Sequence, residues 1–347
     1  MHGGFFSSVH LRVPPWINFT STIPRMTLHT IEPIQGHVHG AFSPEIAPIL
    51  TINPGDTVRF RTLDADWNLA PRRSTRYEDK PLQFHPRPIG QETGHALCGP
   101  IAIRGAEPGM TLAVHINTVR PGAWGFTAVG GWPHAVNHRM GLANAGSYLL
   151  WDLDADAMQG RDQYGHTVAL RPFMGVMGMP PNEAGLHSTV PPRITGGNLD
   201  CKELVAGSTL YLPIAVAGGL FSTGDGHARQ GDGEVCVTAI ECPMDCVELT
   251  FNLHPELHIS TPRAETPSGK ITLGLHEDLT QAAEIAMQAM VEWMMALHAL
   301  DRHQACGLAS VLVDLHVTQI VNGVRGVHAI LSASDLTALN TRAAGDW

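Results

Sequence analysis

A tight turn that leads into an alternating strand recurs along this chain of 347 residues. The motif Gly-x-Thr followed by an apolar residue occurs at 55–58, 109–112 and 207–210, and apolar and polar residues alternate around it. Such alternation is typical of a half-buried strand. The chain also carries 36 Gly and 25 Pro, many of them at turn-like positions, and the irregular spacing of the motif excludes a solenoid. The sequence therefore predicts a β-rich α+β fold with antiparallel sheets packed in a sandwich or barrel-like arrangement.

One long helix is predicted at about 277–306. Its apolar residues recur every three or four positions, which gives a single apolar face that is expected to pack on the sheets. The face comprises Leu279, Ala283, Ala286, Met290, Trp293 or Met294, Leu297 and Leu300. Gly307 is expected to end this helix in the C′ position, and a strand at 309–317 is expected to follow.

The chain divides into three predicted parts. Residues 1–25 are interpreted as a loose arm, because their apolar residues follow no period and prolines interrupt them. Residues 26–331 are predicted to form the main domain, which could split into two sub-lobes near 150–190. Residues 332–347 are expected to form a short surface helix with a loose end. Within the domain, the polar, turn-rich residues 62–95 are predicted to form a long surface loop, a candidate lid.

Composition excludes several classes of partner. Hydrophobic residues make up 44% of the chain and charged residues 16%, as in a compact globular protein. The formal net charge of −10 argues against binding to nucleic acid or anionic membranes. No apolar run approaches the ~20 residues that a membrane span needs, and no secretory signal is visible. The six cysteines contain no C-x-x-C pair. A reducing cytoplasm is the expected compartment.

Residues 218–234 carry the strongest functional signal. Asp225, His227, Asp232 and Glu234 alternate with glycine or other small residues, and glycine lets the backbone turn sharply and approach an ion or a substrate. Carboxylates with one imidazole suit Zn²⁺, Ca²⁺ or a related divalent ion. The alternative is a solvated hairpin loop, since Asp-Gly is a common turn dipeptide.

A second polar segment lies at 196–204, where two glycines precede Asn198 and Asp200. Polar side chains on a backbone of this kind can approach a ligand. The alternative is an Asx-turn that caps a helix or a strand.

An ordered set of phrases resembles the acetamidase/formamidase family across nearly the whole chain. The matching pieces are residues 38–40, 53–58, 63–65, 99–101, 105–109, 197–204, 207–210, 224–227 and 230–234. The resemblance implies hydrolysis of a short aliphatic amide to ammonia and a carboxylate, a β-rich fold with some helix, a divalent metal, and a homodimer or a higher homo-oligomer. The chain departs from the family's phrases at 180–183, in the loop 66–95 and in the region 124–140.

The resulting hypothesis is a metal site at which an activated water cleaves the amide. The metal is expected to be zinc, with calcium as the alternative. Glu183 or Glu234 is the candidate general base or acid, and Asn198 and Gln230 are candidates to orient the amide. Trp124 or Phe126 would restrict the acyl side. The candidate metal ligands, drawn from separate segments, are His39, Asp64, Asp200, Asp225 and His227.

Three alternatives stay open from the sequence. The first is a covalent amidase with Cys201 as nucleophile beside Lys202 and Glu203, although adjacent residues of a strand point to opposite faces. The second is a non-catalytic, metal-stabilised β-sandwich module that binds small ligands. The third is a family member that acts on a larger amide, with the loop 66–95 and the tryptophan-rich loop at 124–132 shaping a wider pocket.

Overall fold

The structure is a computed structural model, and it describes residues 26–340. The predicted N-terminal arm, 1–25, and the end of the predicted tail, 341–347, lie outside the described residues. The strands in chain order are β1 Leu28–Ile31, β2 Val38–His39, β3 Ala41–Phe42, β4 Leu50–Ile52, β5 Thr57–Thr62, β6 Leu97–Ile103, β7 Thr111–Pro121, β8 Trp124–Val129, β9 Ser147–Asp154, β10 Gln159–Asp162, β11 Thr167–Ala169, β12 Phe173–Gly178, β13 His187–Ser188, β14 Gly196–Asn198, β15 Thr209–Pro213, β16 Phe221–His227, β17 Glu241–Cys242, β18 Met244–His254, β19 Arg263–Thr266, β20 Gly269–His276, β21 Val313–Gln319 and β22 Arg325–Ser332. The helices are α1 Ala135–Arg139, α2 Leu279–His298, α3 Arg302–Leu312 and α4 Ala333–Asn340.

Two large sheets make up most of the fold. The first has nine strands in the order β1-β5-β18-β7-β15-β19-β20-β22-β21, and the second has eleven strands, with β11-β10-β9-β8-β17-β16-β12-β14 as its main path. Strand β6 joins the second sheet by pairing with β16, β2 and β4. Nearly all pairs are antiparallel, the exceptions being β1 with β5 and β4 with β6. The predicted β-rich, largely antiparallel architecture is confirmed, whereas within the described strands neither sheet closes into a barrel.

One hydrophobic core lies between the two sheets. Phe60, Leu112 and Phe251 from the first sheet belong to the same buried cluster as Ile101 and Phe221 from the second. The rings of Phe221 and Phe251 meet edge to face across this interface, with centroids 5.0 Å apart. Strand β16, which carries Phe221, is therefore anchored on one face by the core, and all seven of its residues are buried.

The predicted single helix at 277–306 is two helices. Ala299 adopts a left-handed conformation (φ 51°) directly after α2, and α3 then begins with Asp301 as its N-cap. Asp301 and Gln304 form a reciprocal capping box, which satisfies two backbone N–H groups at the new helix start. Gly307, expected to end the helix, lies inside α3, and the following strand starts at Val313. Within residues 26–340 no helix is long and apolar enough to cross a membrane.

Helix α2 packs very closely on strand β20. A Cβ atom added to Gly274 in β20 would overlap the carbonyl oxygen of Ala282 and lie 2.6 Å from the backbone nitrogen of Ala286. The hydroxyl of Thr272 donates a hydrogen bond of 2.7 Å to the carbonyl oxygen of Ala286. The strand therefore needs glycine at 274 because the helix backbone occupies the place of a side chain.

We expect Gly274→Ala to destabilise the protein by about 3 kcal/mol, because the added methyl group must push helix and strand apart. Gly307→Ala is the matched control, since Gly307 is an exposed helical glycine with no neighbour near its Cβ position, and it should stabilise by roughly 0.5–1 kcal/mol. Urea denaturation followed by circular dichroism measures both. An equal effect of the two substitutions would contradict the close packing of α2 on β20.

Candidate metal centre and active site

A buried imidazole between two carboxylates forms the centre of the candidate site. His227 ends strand β16, and its register partner across the antiparallel pair with β17 is Glu241. The Nε2 atom of His227 lies 3.4 Å from Oδ1 of Asp225 and 3.2 Å from Oε2 of Glu241. All three side chains are at most 4% exposed. The strand pairing thus places a ligand-type side chain from β17 beside two from β16.

Two further carboxylates complete the cluster. Asp200 follows β14, which reaches β16 through β12, and Glu234 comes from the loop after β16. Ligand-type atoms of Asp200, His227 and Glu234 all lie within 4.8 Å of one another, as do those of Asp225, His227 and Glu241. Four carboxyl groups and one imidazole therefore converge from four segments of the chain.

The hydrogen bonds of Gln230 determine which ring nitrogen of His227 is free. The amide nitrogen of Gln230 donates to the backbone oxygen of Asp200 at 2.7 Å, so its oxygen, Oε1, faces His227. The Nδ1–H group of His227 must then donate to Oε1 at 2.9 Å. In the neutral ring this leaves Nε2, the nitrogen that faces the carboxylates, with a lone pair for an ion. Metal-binding histidines commonly have their other nitrogen held in this way.

Several buried oxygen atoms of the cluster and the adjoining cavity have no hydrogen-bond partner. Among the described residues, these include Oδ1 of Asp200, Oε2 of Glu234, Oε2 of Glu241, which faces Nε2 of His227 at 3.2 Å, and Oδ1 of Asn198, a residue of the cavity wall. Buried polar atoms without hydrogen-bond partners are rare in native proteins and call for an explanation. Three carboxylate oxygens with free lone pairs beside an available imidazole fit a divalent cation, which explains why the fold tolerates them.

Gly175 in β12 leaves room where these groups converge. A Cβ atom at Gly175 would lie 2.5 Å from Oδ2 of Asp225, 2.9 Å from Oδ1 of Asp200 and 2.9 Å from Cε1 of His227. Any side chain at 175 would displace the cluster. The absence of a side chain at position 175 therefore allows Asp225 and Asp200 to lie close together.

The backbone is strained at three of the four acidic residues. Asp200, Asp225 and Glu234 have φ angles of 48°, 57° and 47°, in the left-handed region that non-glycine residues rarely adopt. Such residues cost of order 1–3 kcal/mol each and concentrate at functional sites. The surrounding sheet therefore holds these residues in conformations that direct carboxylates to one point.

Asp225 and His227 are both held in their charged forms. Burial works against ionisation of Asp225, but the neighbouring His227 and His95 outweigh it and keep the pKa of Asp225 well below its usual range. Burial likewise disfavours protonated His227, but Glu241 and Asp225 raise its pKa well above the ordinary value. The proton on Nε2 thus occupies the side of the ring that a cation would take.

The other three carboxyl groups tend to hold protons. Burial, with a contribution from Asp225, raises the pKa of Asp200 to about 8, and burial raises that of Glu241 to about 7. Burial and the nearby Asp200 raise the pKa of Glu234 well above its usual value. Neighbouring buried carboxyl groups cannot all ionise without a counter-charge. Near neutral pH, therefore, some of these groups carry protons that a cation would displace.

His39 lies outside this cluster. Its Nδ1 bonds to the carbonyl oxygen of Ala41 at 2.7 Å and its Nε2 to the hydroxyl of Ser222 at 2.9 Å, so both ring nitrogens are engaged. Burial lowers its pKa to about 4. His39 thus holds β2 against β16 as a neutral, buried residue, and the structure does not bring it to the candidate metal centre.

Asp64 is likewise engaged elsewhere. It accepts hydrogen bonds from the backbone N–H of Asn68 at 2.9 Å and from the side-chain amide of Asn68 at 2.7 Å. This is the turn-capping arrangement that competes with a ligand role at such a position. Neither convergent group around His227 includes Asp64.

The remaining predicted residues differ in their relation to the cavity. Asn198 and Phe126 line the same cavity as Asp225, His227, Glu234 and Glu241. Glu183 is exposed in the loop after β12, and Trp124, half-buried, packs against the cluster that contains Phe126; neither lines the cavity. Gln230 is occupied with His227 and Asp200, which makes it a positioning residue for the cluster. Asp232 pairs instead with Lys202 at 2.7 Å and His316 at 3.0 Å.

Three site residues were not found from the sequence. The sequence does not show that Glu241 lies beside His227, because the strand register that pairs them is a long-range property. The local signal is a glutamate directly after the apolar residues 239–240. His95 lines the cavity and bonds through Nδ1 to the hydroxyl of Thr189 at 2.8 Å. Asn322 donates to Oδ2 of Asp200 at 2.8 Å. The last two come from loops whose position no local pattern indicates.

The cluster lines a cavity of about 360 Å³. Aromatic side chains also line this cavity: Trp67, Tyr77, Phe126, Trp132 and Tyr148. Residues 92–95, at the end of the predicted surface loop, contribute to its wall. The cavity thus combines the acidic cluster with aromatic side chains, and Asp66, Arg87 and Glu92 add further charged groups to its lining.

The chain belongs to the acetamidase/formamidase family, which its sequence matches over residues 28–188 and 183–332. It is 26% identical over 250 residues to a formamidase of Methylophilus methylotrophus, an alignment that covers 58% of this chain and 60% of that protein. Formamidases and acetamidases are amidases that act on carbon–nitrogen bonds other than peptide bonds. The resemblance recognised in the sequence is therefore confirmed.

Solved structures of the same family share the fold. An acetamidase from Bacillus halodurans matches with a TM-score of 0.77 and 26% identity, covering 90% of this chain and 100% of that one. An acetamidase from Yersinia enterocolitica matches with a TM-score of 0.76 and 26% identity, covering 89% of this chain and 93% of that one. The two-sheet architecture described above is thus that of known acetamidase structures.

The raised pKa values predict that Zn²⁺ binding depends steeply on pH. Below pH 7, Asp200, Glu241 and His227 carry protons that the ion must displace, so affinity should rise from pH 6 to pH 8. Each proton released contributes about tenfold per pH unit. Titration calorimetry in buffers of different ionisation enthalpy counts these protons directly.

The control for this measurement is a distant carboxylate. Asp225→Asn should weaken Zn²⁺ binding by tenfold or more, whereas Asp156→Asn, at an exposed residue paired with Arg120, should leave the titration unchanged. Zinc affinity that stays flat between pH 6 and 8, as ordinary surface carboxylates would produce, would contradict the assignment.

Proposed function

We propose that this protein hydrolyses a linear primary amide to ammonia and a carboxylate at the cluster around His227. The observation that carries the proposal is the convergence of carboxylate oxygens without hydrogen-bond partners and the Nε2 atom of His227 in the wall of a cavity large enough for a small molecule. Family membership supports the reaction class. An unactivated amide is very resistant to hydrolysis, so the site must supply a nucleophile, stabilise an oxyanion and protonate the leaving nitrogen.

His227, Asp225 and Glu241 are the residues that would hold a divalent metal, and Asp200, a predicted ligand that lies beside them, is assigned a proton-transfer role instead. When bound, a divalent ion such as Zn²⁺ lowers the pKa of water and polarises a carbonyl group. One imidazole with several carboxylates suits zinc, and calcium is the alternative. The hydrogen bond from Nδ1 of His227 to Gln230 and the strained backbone at Asp225 hold these groups in position before any ion arrives.

Asp200 and Glu234 are the proposed proton carriers. The two carboxyl groups are buried and close to each other, and their mutual repulsion favours a state in which they share one proton. The ionised partner can accept a proton from the attacking water, and the protonated one can donate to the leaving nitrogen. Asn322, which bonds to Oδ2 of Asp200, would hold that carboxylate in place. Glu234 thereby takes the acid–base role, which the exposed Glu183 is not positioned to serve.

Asn198 is the proposed residue that orients the substrate amide. Its side-chain nitrogen donates to the carbonyl oxygen of Val190 at 3.0 Å, which leaves its oxygen, Oδ1, buried and without a partner on the cavity side. An oxygen acceptor there can receive an N–H group of a primary amide. A substrate bound in this way would turn its leaving nitrogen toward Asn198.

The covalent alternative finds little support in the surroundings of Cys201. Cys201 is fully buried and does not line the cavity, and burial raises its pKa to about 12. A nucleophilic cysteine needs the opposite shift. Its neighbour Glu203 pairs with Arg171 at 2.5 Å. We expect Cys201→Ala to retain amide hydrolysis.

A cytoplasmic location and assembly into a homo-oligomer are part of the proposal as expectations.

Metal removal should abolish the reaction. We expect the protein, stripped by a chelator that is then dialysed away, to lose at least about 99% of its ammonia release from acetamide and formamide, consistent with the large effect of metal activation. Adding Zn²⁺ back should restore the rate, and elemental analysis of each sample provides the control. Full activity in a sample shown to be free of metal would overturn the metal mechanism.

A further inference from the structure

We propose that the acyl group of the substrate carries an aromatic ring, which binds against a wall formed by Phe126, Tyr148, Tyr77 and Trp132. This inference rests on the proposed function, because it takes the cluster around His227 as the place where the amide is cleaved. It concerns the same cavity, and it assigns a role to the part that the hydrolytic residues do not use.

The cavity is larger than acetamide requires. Its volume of about 360 Å³ falls in the range of roughly 300–1,000 Å³ that is typical of pockets for larger organic ligands. Acetamide has four non-hydrogen atoms and displaces only a few water molecules, each of which fills roughly 30 Å³ of liquid. Acetamide would therefore leave most of the cavity to water, whereas an acyl group with one aromatic ring would fill much of what remains.

The four aromatic side chains contact one another in sequence along the cavity wall. The rings of Phe126 and Tyr148 meet edge to face with centroids 5.7 Å apart, Tyr77 stacks on Tyr148 at 5.6 Å, and Trp132 lies 6.3 Å from Tyr77. Phe126 and Tyr148 are buried, Trp132 is half-buried and Tyr77 is 41% exposed. The four rings thus form a continuous wall that runs from buried to partly exposed side chains, of a kind that favours contact with another ring.

The chemistry of the two groups of side chains sets the orientation of an aromatic amide. The cluster around His227 and the aromatic wall line the same cavity, and the wall begins beside the cluster because Phe126 is the strand partner of Glu241. An aromatic ring at the cluster would desolvate carboxylates without compensation. The amide therefore belongs with the cluster, and the ring belongs with Phe126 and Tyr148.

A buried arginine holds the wall in place before a ligand binds. The guanidinium of Arg72 lies 4.0 Å from the ring centroid of Tyr148 and 5.2 Å from that of Phe126, and it pairs with Asp66 at 3.1 Å. A wall that is already ordered loses little conformational entropy on binding. A preformed aromatic wall of this kind fits an aromatic acyl group.

The test compares phenylacetamide with acetamide on the metal-loaded protein, with ammonia release as the readout. We expect kcat/KM to be about 100-fold or more higher for phenylacetamide, consistent with burial of one aromatic ring. Trp132→Ala and Tyr77→Ala should each reduce this ratio by about tenfold, chiefly through KM for phenylacetamide. Trp132→Phe, which keeps a ring, should preserve most of the ratio and guards against misfolding of the alanine variant.

Tyr164→Ala is the matched control, because Tyr164 is a 67% exposed tyrosine outside the cavity, and it should leave the ratio unchanged. If acetamide or formamide is the better substrate, or if the Trp132 and Tyr77 variants leave the ratio unchanged, the aromatic assignment is overturned while amide hydrolysis stands. If the metal-loaded protein cleaves none of these amides, the proposed function itself fails, and the two failures are thus distinguishable.

Discussion

The rest of the site depends on the interaction of His227 with the carboxylates around its Nε2 atom. Gln230 fixes the ring by accepting from Nδ1, and Asp225 and Glu241 face the other nitrogen from two strands. Placing so many acidic groups in the interior is unfavourable unless a cation compensates them. In the absence of a metal, protons on His227 and on the carboxyl groups serve that purpose, which explains why several pKa values are displaced upward together.

The sheets serve this cluster by bringing distant residues together on rigid supports. Strand β16 is paired with β12, β17 and β6, and one of its faces is anchored in the core by Phe221. Strand β12 contributes Gly175, whose missing side chain leaves the space in which Asp200 and Asp225 approach each other. The left-handed backbone of Asp225 is sustained by this surrounding structure. A mobile loop would relax such a conformation, and the convergence of the oxygens would be lost.

Residue patterns reveal the fold class and part of the site, and their limits have physical causes. Alternation after Gly-x-Thr turns predicted the β-rich architecture, and the Gly-Asp-Gly-His phrase led to Asp225 and His227. Glu241 was not predicted as a site residue, because strand register, a long-range property, makes it a neighbour of His227. His39 stands in an equally suggestive phrase, yet its two hydrogen bonds to Ala41 and Ser222 are visible only in three dimensions. The apolar periodicity at 277–306 continues through the end of α2 and the start of α3, so it predicted one helix. The capping residues Asp301 and Gln304 mark the start of the second helix.

Anomalous X-ray diffraction from crystals of the zinc-loaded protein, recorded on both sides of the zinc absorption edge, tests the central claim most directly. We expect a strong zinc peak about 2.0–2.2 Å from Nε2 of His227, with carboxylate oxygens of Asp225 and Glu241 at similar distances. A protein that binds zinc elsewhere and shows no peak in this cluster would contradict it.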